Sequence, residues 1–114
     1  MTFDDVQIID QSTTERLLRD GAVLIDNRPE HKFQSGHLKG AINLPYFKKD
    51  HPSNIMTKEN LLEAMGDQTV VVFYCSGALR AYHALKQAKA WGIDAQMYWY
   101  KDGFDVWKIT EWIE

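Results

Sequence analysis

Runs of apolar residues alternate along this chain with segments in which apolar residues recur every three or four positions. The runs stand at 6–9, 22–25, 41–44, 69–74 and 96–99. Continuous apolar runs bounded by glycine or polar residues are typical of strands buried on both faces of a sheet. The run 69–74, TVVVFY, is β-branched and aromatic throughout. We therefore expect it to be the central strand.

The intervening segments have the signals of helices. Ser12 and Glu15 have the spacing of a capping box, which predicts a helix that begins near Thr13 and ends at Gly21. The further predictions are one helical turn over 30–34, a helix that is capped by Thr57 and ends at Gly66, a helix over 80–91 that ends at Gly92, and a C-terminal helix from about Phe104.

This alternation predicts an α/β fold: a central, mostly parallel sheet of about five strands with helices on both faces, joined by right-handed crossovers. We expect a single domain over residues 1–114, because the chain contains no internal repeat, linker or low-complexity segment. Sheets of this kind bind ligands at the carboxyl ends of their strands. The junction of Tyr74 and Cys75 is such an end.

Composition narrows the possible functions. The net charge of −3 argues against nucleic-acid binding, and the adjacent pair Lys48 and Lys49 is interpreted as a solvated loop. No segment approaches the roughly 18 apolar residues that cross a membrane, and the acidic N-terminus lacks the features of a signal peptide. The single cysteine excludes a disulfide within the chain. We therefore expect a cytoplasmic protein that binds neither nucleic acid nor membrane.

The loop from Cys75 to Arg80, CSGALR, is the strongest candidate for a chemical site. A helix that starts directly after a strand leaves its first amides without partners, and these donors form an anion site. The positive end of the helix and the charge of Arg80 should favour the thiolate of Cys75, which is a nucleophile. The residues expected to bind the substrate are Ser76, Gly77, Ala78, Leu79 and Arg80. The alternative is a cysteine that only fills space at a strand end.

Three segments of the chain, at 24–29, 36–45 and 74–80, together resemble one known family, the rhodaneses (sulfurtransferases). Residues 24–29, LIDNRP, resemble the family's strand end lIDvR. Residues 36–45, GHLKGAINLP, resemble its signature GHIpGAinip, and residues 74–80, YCSGALR, resemble its active loop C-x-x-G-x-R. The resemblance extends from Val6 to Trp107 and implies the family's fold over nearly the whole chain.

The resemblance also implies a reaction in two displacements. Cys75 takes a sulfane sulfur from a small anionic donor such as thiosulfate and carries it as a persulfide. It then passes the sulfur to cyanide or to a thiol of a small molecule or a protein. The loop from Cys75 to Arg80 has the form C-x4-R, which suits sulfur, whereas related cell-cycle phosphatases and arsenate reductases have C-x5-R. No cofactor is implied, and the scattered histidines with one cysteine predict no metal site.

The sequence departs from the family's pattern at three places. The loop glycine, Gly77, stands third in the loop rather than fourth. Ala81 stands where the family often has a helix-capping serine, so that a helix beginning near Tyr82 is an alternative. Asp102 replaces the first of two glycines that usually precede the last helix, and this change before Gly103 is interpreted as neutral.

The residues around the loop have supporting roles in this interpretation. Asp26 and Arg28 are expected to form an ion pair that braces the loops. Arg80 either binds the sulfonate end of the donor or ties the loop to a carboxylate. His37 is expected to be a packed structural residue and His83 an exposed helical one. The tryptophans are expected in core or rim packing; they are Trp91, Trp99, Trp107 and Trp112.

Three functions remain open at this point. The first is a sulfurtransferase that acts on small or protein-borne thiols. The second is a module that carries sulfur for a partner, or docks onto one, with little turnover of its own. The third, phosphatase or arsenate reductase chemistry, is disfavoured by the length of the loop and by the lack of an obvious general acid.

Overall fold

The computed structural model describes residues 3, 5–77, 79–107 and 112–114. The elements are, in chain order, β1 (Gln7–Ile9), α1 (Gln11–Arg19), β2 (Val23–Asp26), α2 (Glu30–Ser35), β3 (Ile42–Asn43), α3 (Lys58–Met65), β4 (Val70–Tyr74), α4 (Arg80–Ala90), β5 (Gln96–Tyr100) and a 3-10 helix (Phe104–Val106). The predicted alternation of strands and helices is confirmed. No helix within the described part of the chain is both long and apolar enough to cross a membrane.

The five strands form one sheet in the order β1-β5-β4-β2-β3, and all the pairs are parallel. Strand β4 is the middle strand, as its composition predicts. The register places Asp26 beside Tyr74 on one side and beside Asn43 on the other. The carboxyl ends of β2, β3 and β4 therefore meet at one edge of the sheet, where α/β folds bind their ligands.

Helices cover both faces of the sheet. On one face, Val71 and Phe73 of β4 pack in a cluster with apolar residues of α3 and α4, such as Leu61 and Leu85. On the other face, Val72 and its neighbours pack against Leu17 and Leu18 of α1 and against the 3-10 segment. The alternation along β4 follows from the two-residue period of a strand. Burying an apolar side chain of this size contributes roughly 1.5–3 kcal/mol.

Helix α1 begins earlier than predicted. Its N-cap is Asp10, whose carboxylate accepts a hydrogen bond of 2.8 Å from the amide of Thr13. The capping box of Ser12 and Glu15 is therefore wrong, because a better acceptor stands two residues upstream. The amide of Thr13 also lowers the pKa of Asp10, since its hydrogen bond favours the charged form.

The end of the chain also differs from the prediction. In place of a helix from Phe104 there is a 3-10 helix of three residues, and the backbone is extended at Trp107, with φ −62° and ψ 129°. The rest of the predicted helix falls on 108–111, outside the described residues. Strand β3 is shorter than the predicted 41–44, because only Ile42 and Asn43 pair with β2.

Candidate active site

Cys75 directly follows Tyr74, the last residue of the central strand β4. The residue is 3% exposed and belongs to the apolar cluster on the side of the sheet covered by α4, which includes Tyr46 and Tyr82. The sequence analysis placed this cysteine at the mouth of an anion site, whereas the structure places it below the protein surface. Any reagent that reaches its sulfur must therefore be small or must enter past the loop.

The loop after Cys75 turns the chain from β4 into α4. Ser76 is half-buried and Gly77 is exposed, with a φ of 137° that only glycine adopts readily. The backbone at this position therefore favours glycine. Leu79 is the N-cap and contributes no side-chain hydrogen bond to the helix. The predicted contact residue Ala78 lies outside the described residues.

Helix α4 begins at Arg80 and not at Tyr82, the alternative raised by Ala81. Its first intrahelical hydrogen bond runs from the amide of His83 to the carbonyl of Leu79, at 3.0 Å. The amides of the three residues between them therefore have no acceptor within the helix. Such amides are the donors on which an anion site at the start of a helix depends.

Arg80 is half-buried, and its guanidinium lies over the ring of Phe47, 5.4 Å from the ring centroid. Phe47 comes from the segment after β3, so the contact joins two separate parts of the carboxyl edge. No carboxylate of the residues described here lies within ion-pair distance of Arg80. The described residues thus give no support to the alternative in which Arg80 ties the loop to an acidic side chain.

Asp26 and Arg28 form the ion pair that the sequence analysis expects, and it is buried. The guanidinium Nη2 lies 2.7 Å from Oδ2 of Asp26, and Nε donates to both carboxylate oxygens at 3.1 Å. A further hydrogen bond of 2.7 Å joins Nη2 to the carbonyl of Gly36. Burial works against the charge on the guanidinium, but the hydrogen bond and charge of Asp26 outweigh it and raise the pKa of Arg28. Arg28 is therefore a paired structural cation.

Tyr74 extends this network from β4. Its hydroxyl donates to Oδ2 of Asp26 at 2.7 Å and accepts from the amide of Leu38 at 3.1 Å. Burial, followed by the charge of Asp26, raises the pKa of Tyr74 far above its usual range, so the hydroxyl keeps its proton. Sequence reasoning missed this contact, because 48 residues separate Tyr74 from Asp26.

The turn before the 3-10 helix packs directly on the loop. The amide of Phe104 donates to the carbonyl of Cys75 at 2.8 Å. Gly103 has a φ of 79°, and a Cβ added there would lie 2.5 Å from the amide nitrogen of Gly77 and 2.7 Å from the carbonyl oxygen of Cys75. Contacts this short are excluded for a real Cβ. The close packing of the loop therefore requires glycine at position 103. The sequence analysis considered only the change to Asp102 before it and did not predict this role of Gly103.

Asn27 is a third residue whose role sequence reasoning missed. Its amide continues the register of β2 with a hydrogen bond of 2.9 Å to the carbonyl of Tyr74, which places Asn27 beside Cys75. Its side-chain Nδ2 donates to the carbonyl of Leu44 at 2.9 Å. Oδ1 is buried and accepts no hydrogen bond from the described residues. The only sequence signal was a polar residue where the family's lIDvR pattern has an apolar one.

The histidines and tryptophans have the packing roles expected of them. The ring of His37 stacks on Phe33 with 3.7 Å between centroids, and its Nε2 lies 3.4 Å from a carboxylate oxygen of Glu114. His83 is exposed on α4. Trp99 is fully buried, and Trp107 packs edge-on against other aromatic rings. In the described ranges, no group of three or more His, Cys, Asp or Glu side chains is placed to hold a metal ion.

Two curated relatives are similar to this chain. The HTH-type transcriptional regulator Rv0324 of Mycobacterium tuberculosis is 32% identical over 89 residues, which are 76% of this chain and 34% of the regulator. M-phase inducer phosphatase 1 of Rattus norvegicus is 34% identical over 53 residues, 46% of this chain and 10% of the phosphatase. The chain thus spans about a third and a tenth of the lengths of these relatives.

Two solved structures share the fold. A thiosulfate sulfurtransferase from Pseudomonas aeruginosa has a TM-score of 0.72 at 18% identity, covering 87% of this chain and 18% of that one. The human single-domain sulfurtransferase TSTD1 has a TM-score of 0.61 at 19% identity, covering 87% and 92%. The family model for the rhodanese-like domain matches residues 10–110. With this match over most of its length, the chain belongs to the rhodanese-like domain family.

Proposed function

We propose that this chain is a sulfurtransferase that moves a sulfane sulfur through a persulfide on Cys75. The observation that carries the proposal is the junction of β4 and α4, where Cys75 and Arg80 bound a six-residue loop. Membership of the rhodanese-like domain family and the likeness to two sulfurtransferase structures support it. The amides at the start of α4 that have no acceptor within the helix, and the charge of Arg80, which meets no carboxylate among the described residues, provide what a small anionic donor requires.

In the first displacement, the thiolate of Cys75 attacks the outer sulfur of thiosulfate. A sulfur–sulfur bond forms on the protein, and the bond to the sulfonate sulfur breaks, so that sulfite leaves with the electron pair. In the second, a thiolate or cyanide attacks the outer sulfur of the persulfide, and Cys75 leaves as a thiolate. The persulfide is longer than the thiol by one sulfur–sulfur bond, about 2 Å. The transferred sulfur thus lies about 2 Å from the buried Sγ of Cys75.

The test is the mass of the intact protein after incubation with thiosulfate and removal of excess reagent. We expect one added sulfur atom on the parent chain and none on the Cys75→Ser variant. Cyanide or a dithiol should then remove the added sulfur. A parent chain that folds but gains no sulfur would contradict the proposal for thiosulfate, and the same measurement with a small-molecule persulfide would decide whether Cys75 accepts sulfur at all.

A carrier or docking module is the second candidate, and two observations favour it. Cys75 is only 3% exposed, which limits access by free acceptors. The regulator Rv0324 is nearly three times as long as its matched segment, so that a segment similar to this chain also occurs within a transcriptional regulator. Persulfide formation without turnover with cyanide or free thiols would select this candidate.

Phosphatase chemistry is the weakest candidate, and it is considered because part of this chain is similar to M-phase inducer phosphatase 1. The loop here has four residues between Cys75 and Arg80, one fewer than the C-x5-R loop of the related cell-cycle phosphatases. We expect no hydrolysis of an aryl phosphate by this chain. Hydrolysis that disappears in Cys75→Ser would reverse the order of the candidates.

A further inference from the structure

A groove lies between the segment after β3 and the exposed side of α4. Its walls include Phe47, Lys48 and Lys49 from the first and His83 and Lys86 from the second, and its volume is about 390 Å³. The groove is distinct from the loop that carries Cys75, but the two are adjacent. Phe47 forms part of the groove and also lies under the guanidinium of Arg80.

The groove is cationic on a chain whose net charge is −3. None of its lining residues is acidic. Lys48 and Lys49 are exposed, and neither forms an ion pair with any residue that the structure describes. Lys86 is paired with the carboxylate of Asp5. The exposed pair is therefore solvated, as the sequence predicts, and it also forms a wall of a groove that favours negative charge.

The same side of α4 continues from the groove to the loop. Arg80 and His83 are three residues apart and are neighbours on the helix surface, and Lys86 follows after three more residues. Arg80 also contacts Phe47, which lines the groove beside Lys48 and Lys49, so that the start of α4 adjoins the cationic groove. A molecule that lies in the groove has one end beside the residue that closes the Cys75 loop.

The dimensions of the groove favour a ligand larger than thiosulfate. A volume of 390 Å³ corresponds to about a dozen water molecules at roughly 30 Å³ each, and it lies in the range of ligand sites. Lysines on flexible stems attract charge without fixing one geometry, in contrast to a buried guanidinium fork. These properties suit an extended chain with several carboxylates better than one compact anion.

We propose that this groove binds an acidic peptide segment of a partner protein and so presents the partner's cysteine to the persulfide of Cys75. The inference rests on the proposed function and names its acceptor class. In the transfer, the partner's thiolate attacks the outer sulfur, a new sulfur–sulfur bond forms on the partner, and the thiolate of Cys75 leaves with the electron pair. No oxidant or reductant is consumed.

The experiment compares three peptides with a single cysteine, whose flanking residues are glutamate, glutamine or lysine. The protein is first loaded with thiosulfate, and the rate at which sulfur moves to each peptide is followed by mass. We expect the glutamate peptide to react about tenfold or more faster than the glutamine peptide, and this advantage should decline as salt is added. Equal rates for the three peptides would overturn the proposal.

The variant K48E/K49E should lose the advantage of the glutamate peptide over the glutamine peptide. The matched control is K39E/K58E, which makes the same change of charge at two exposed lysines outside the groove. An equal loss in this control would show a general effect of net charge and would overturn the proposal. Loading by thiosulfate, measured in the same samples, reports on the proposed function independently of the groove.

If the parent chain does not load, binding decides the inference by itself. A labelled glutamate peptide without cysteine should bind the parent chain in fluorescence anisotropy and bind K48E/K49E at least tenfold more weakly. An oligonucleotide of the same charge is measured in parallel. Equal binding of the oligonucleotide would assign the groove to polyanions in general and overturn the proposal, as would an absence of peptide binding.

Discussion

Arg28 and Arg80 both lie beside the loop that follows β4, and they differ in how their charges are met. Arg28 is 3% exposed and is neutralised by Asp26, with a further hydrogen bond to a backbone carbonyl. Arg80 is half-buried and lies on the ring of Phe47, with no carboxylate near it in the described part of the chain. A fully paired guanidinium supports structure, whereas one without a counter-ion remains able to bind an anion. The following changes test this division, in order of their expected effect on the free energy of unfolding.

Replacing Arg28 with methionine should destabilise the protein most. The change leaves the carboxylate of Asp26, which is fully buried, without its counter-ion. We expect a loss of about 3–5 kcal/mol in the free energy of unfolding, measured by urea denaturation. The double variant D26N/R28M removes both charges and should recover part of this loss. A loss below about 1 kcal/mol in Arg28→Met would show that the pair is not structural.

Replacing Gly103 with alanine should disturb the support of the loop. The new Cβ would meet the backbone of residues 75–77 at 2.5–2.7 Å, and relieving the overlap should cost about 1–3 kcal/mol beyond the strain of the backbone. Gly92→Ala is the matched control, because its φ of 77° is nearly the same as the 79° of Gly103 and nothing lies within 4 Å of an added Cβ. Equal unfolding free energies for the two variants would contradict the close packing.

Tyr74 should make the protein sensitive to alkaline pH. Because its pKa is raised in the folded state, the folded protein keeps a proton that the unfolded chain loses above pH 10. The stabilisation is therefore complete below pH 10 and is lost above it, by up to about 1.4 kcal/mol per pH unit. Burial also raises the pKa of Tyr100, to about 12, so that its contribution is lost between pH 10 and about 12.

The measurement is the free energy of unfolding from pH 8 to 11 for the parent and for Tyr74→Phe. The variant should be less stable at pH 8, since Asp26 and Leu38 each lose a hydrogen bond, and its decline above pH 10 should be shallower. A parent chain with a flat profile above pH 10 would rule out a buried, protonated Tyr74.

Replacing Arg80 with methionine should change stability least, by no more than about 0.5 kcal/mol, since the described residues offer no ion pair to break. Under the proposed function, loading by thiosulfate should slow by about 10- to 100-fold, because a charge-assisted hydrogen bond is worth about 1.5–3 kcal/mol. Arg80→Lys keeps the charge and should lose less. A variant that unfolds easily and loads normally would reverse the roles assigned to the two arginines.

The fold was predictable because its signals are local. The apolar run of β4, the cap at Thr57 and the glycine after Met65 each act within a few residues, and the structure agrees with all three. Two local signals competed to cap helix α1. The sequence predicted a capping box of Ser12 and Glu15, but Asp10, two residues before Ser12, caps the helix instead. The alternation of strands and helices predicted a parallel sheet, and the composition of β4 predicted its central strand; the structure agrees with both.

The site was predictable only in part. The junction of Cys75 with α4 follows from the order of elements along the chain, as does the place of Arg80. Contacts between distant segments left no trace in the local pattern, namely Tyr74 with Asp26 and Gly103 with Gly77. The burial of Cys75 was foreseen only in the alternative of a cysteine that fills space at a strand end, because it depends on how closely α4 and the segment after β3 pack over the sheet.

The contact between the 3-10 turn and the Cys75 loop forms late in the synthesis of the chain. A ribosome releases this chain from its N-terminus, so β4, the loop and α4 emerge before Gly103 and Phe104 exist. Until then, the carbonyl of Cys75 lacks the amide of Phe104 that holds it in the finished protein. The cysteine thus reaches its final surroundings only after residues 103 and 104 have been added, and a chain that stops short of residue 103 carries its thiol without this hydrogen bond.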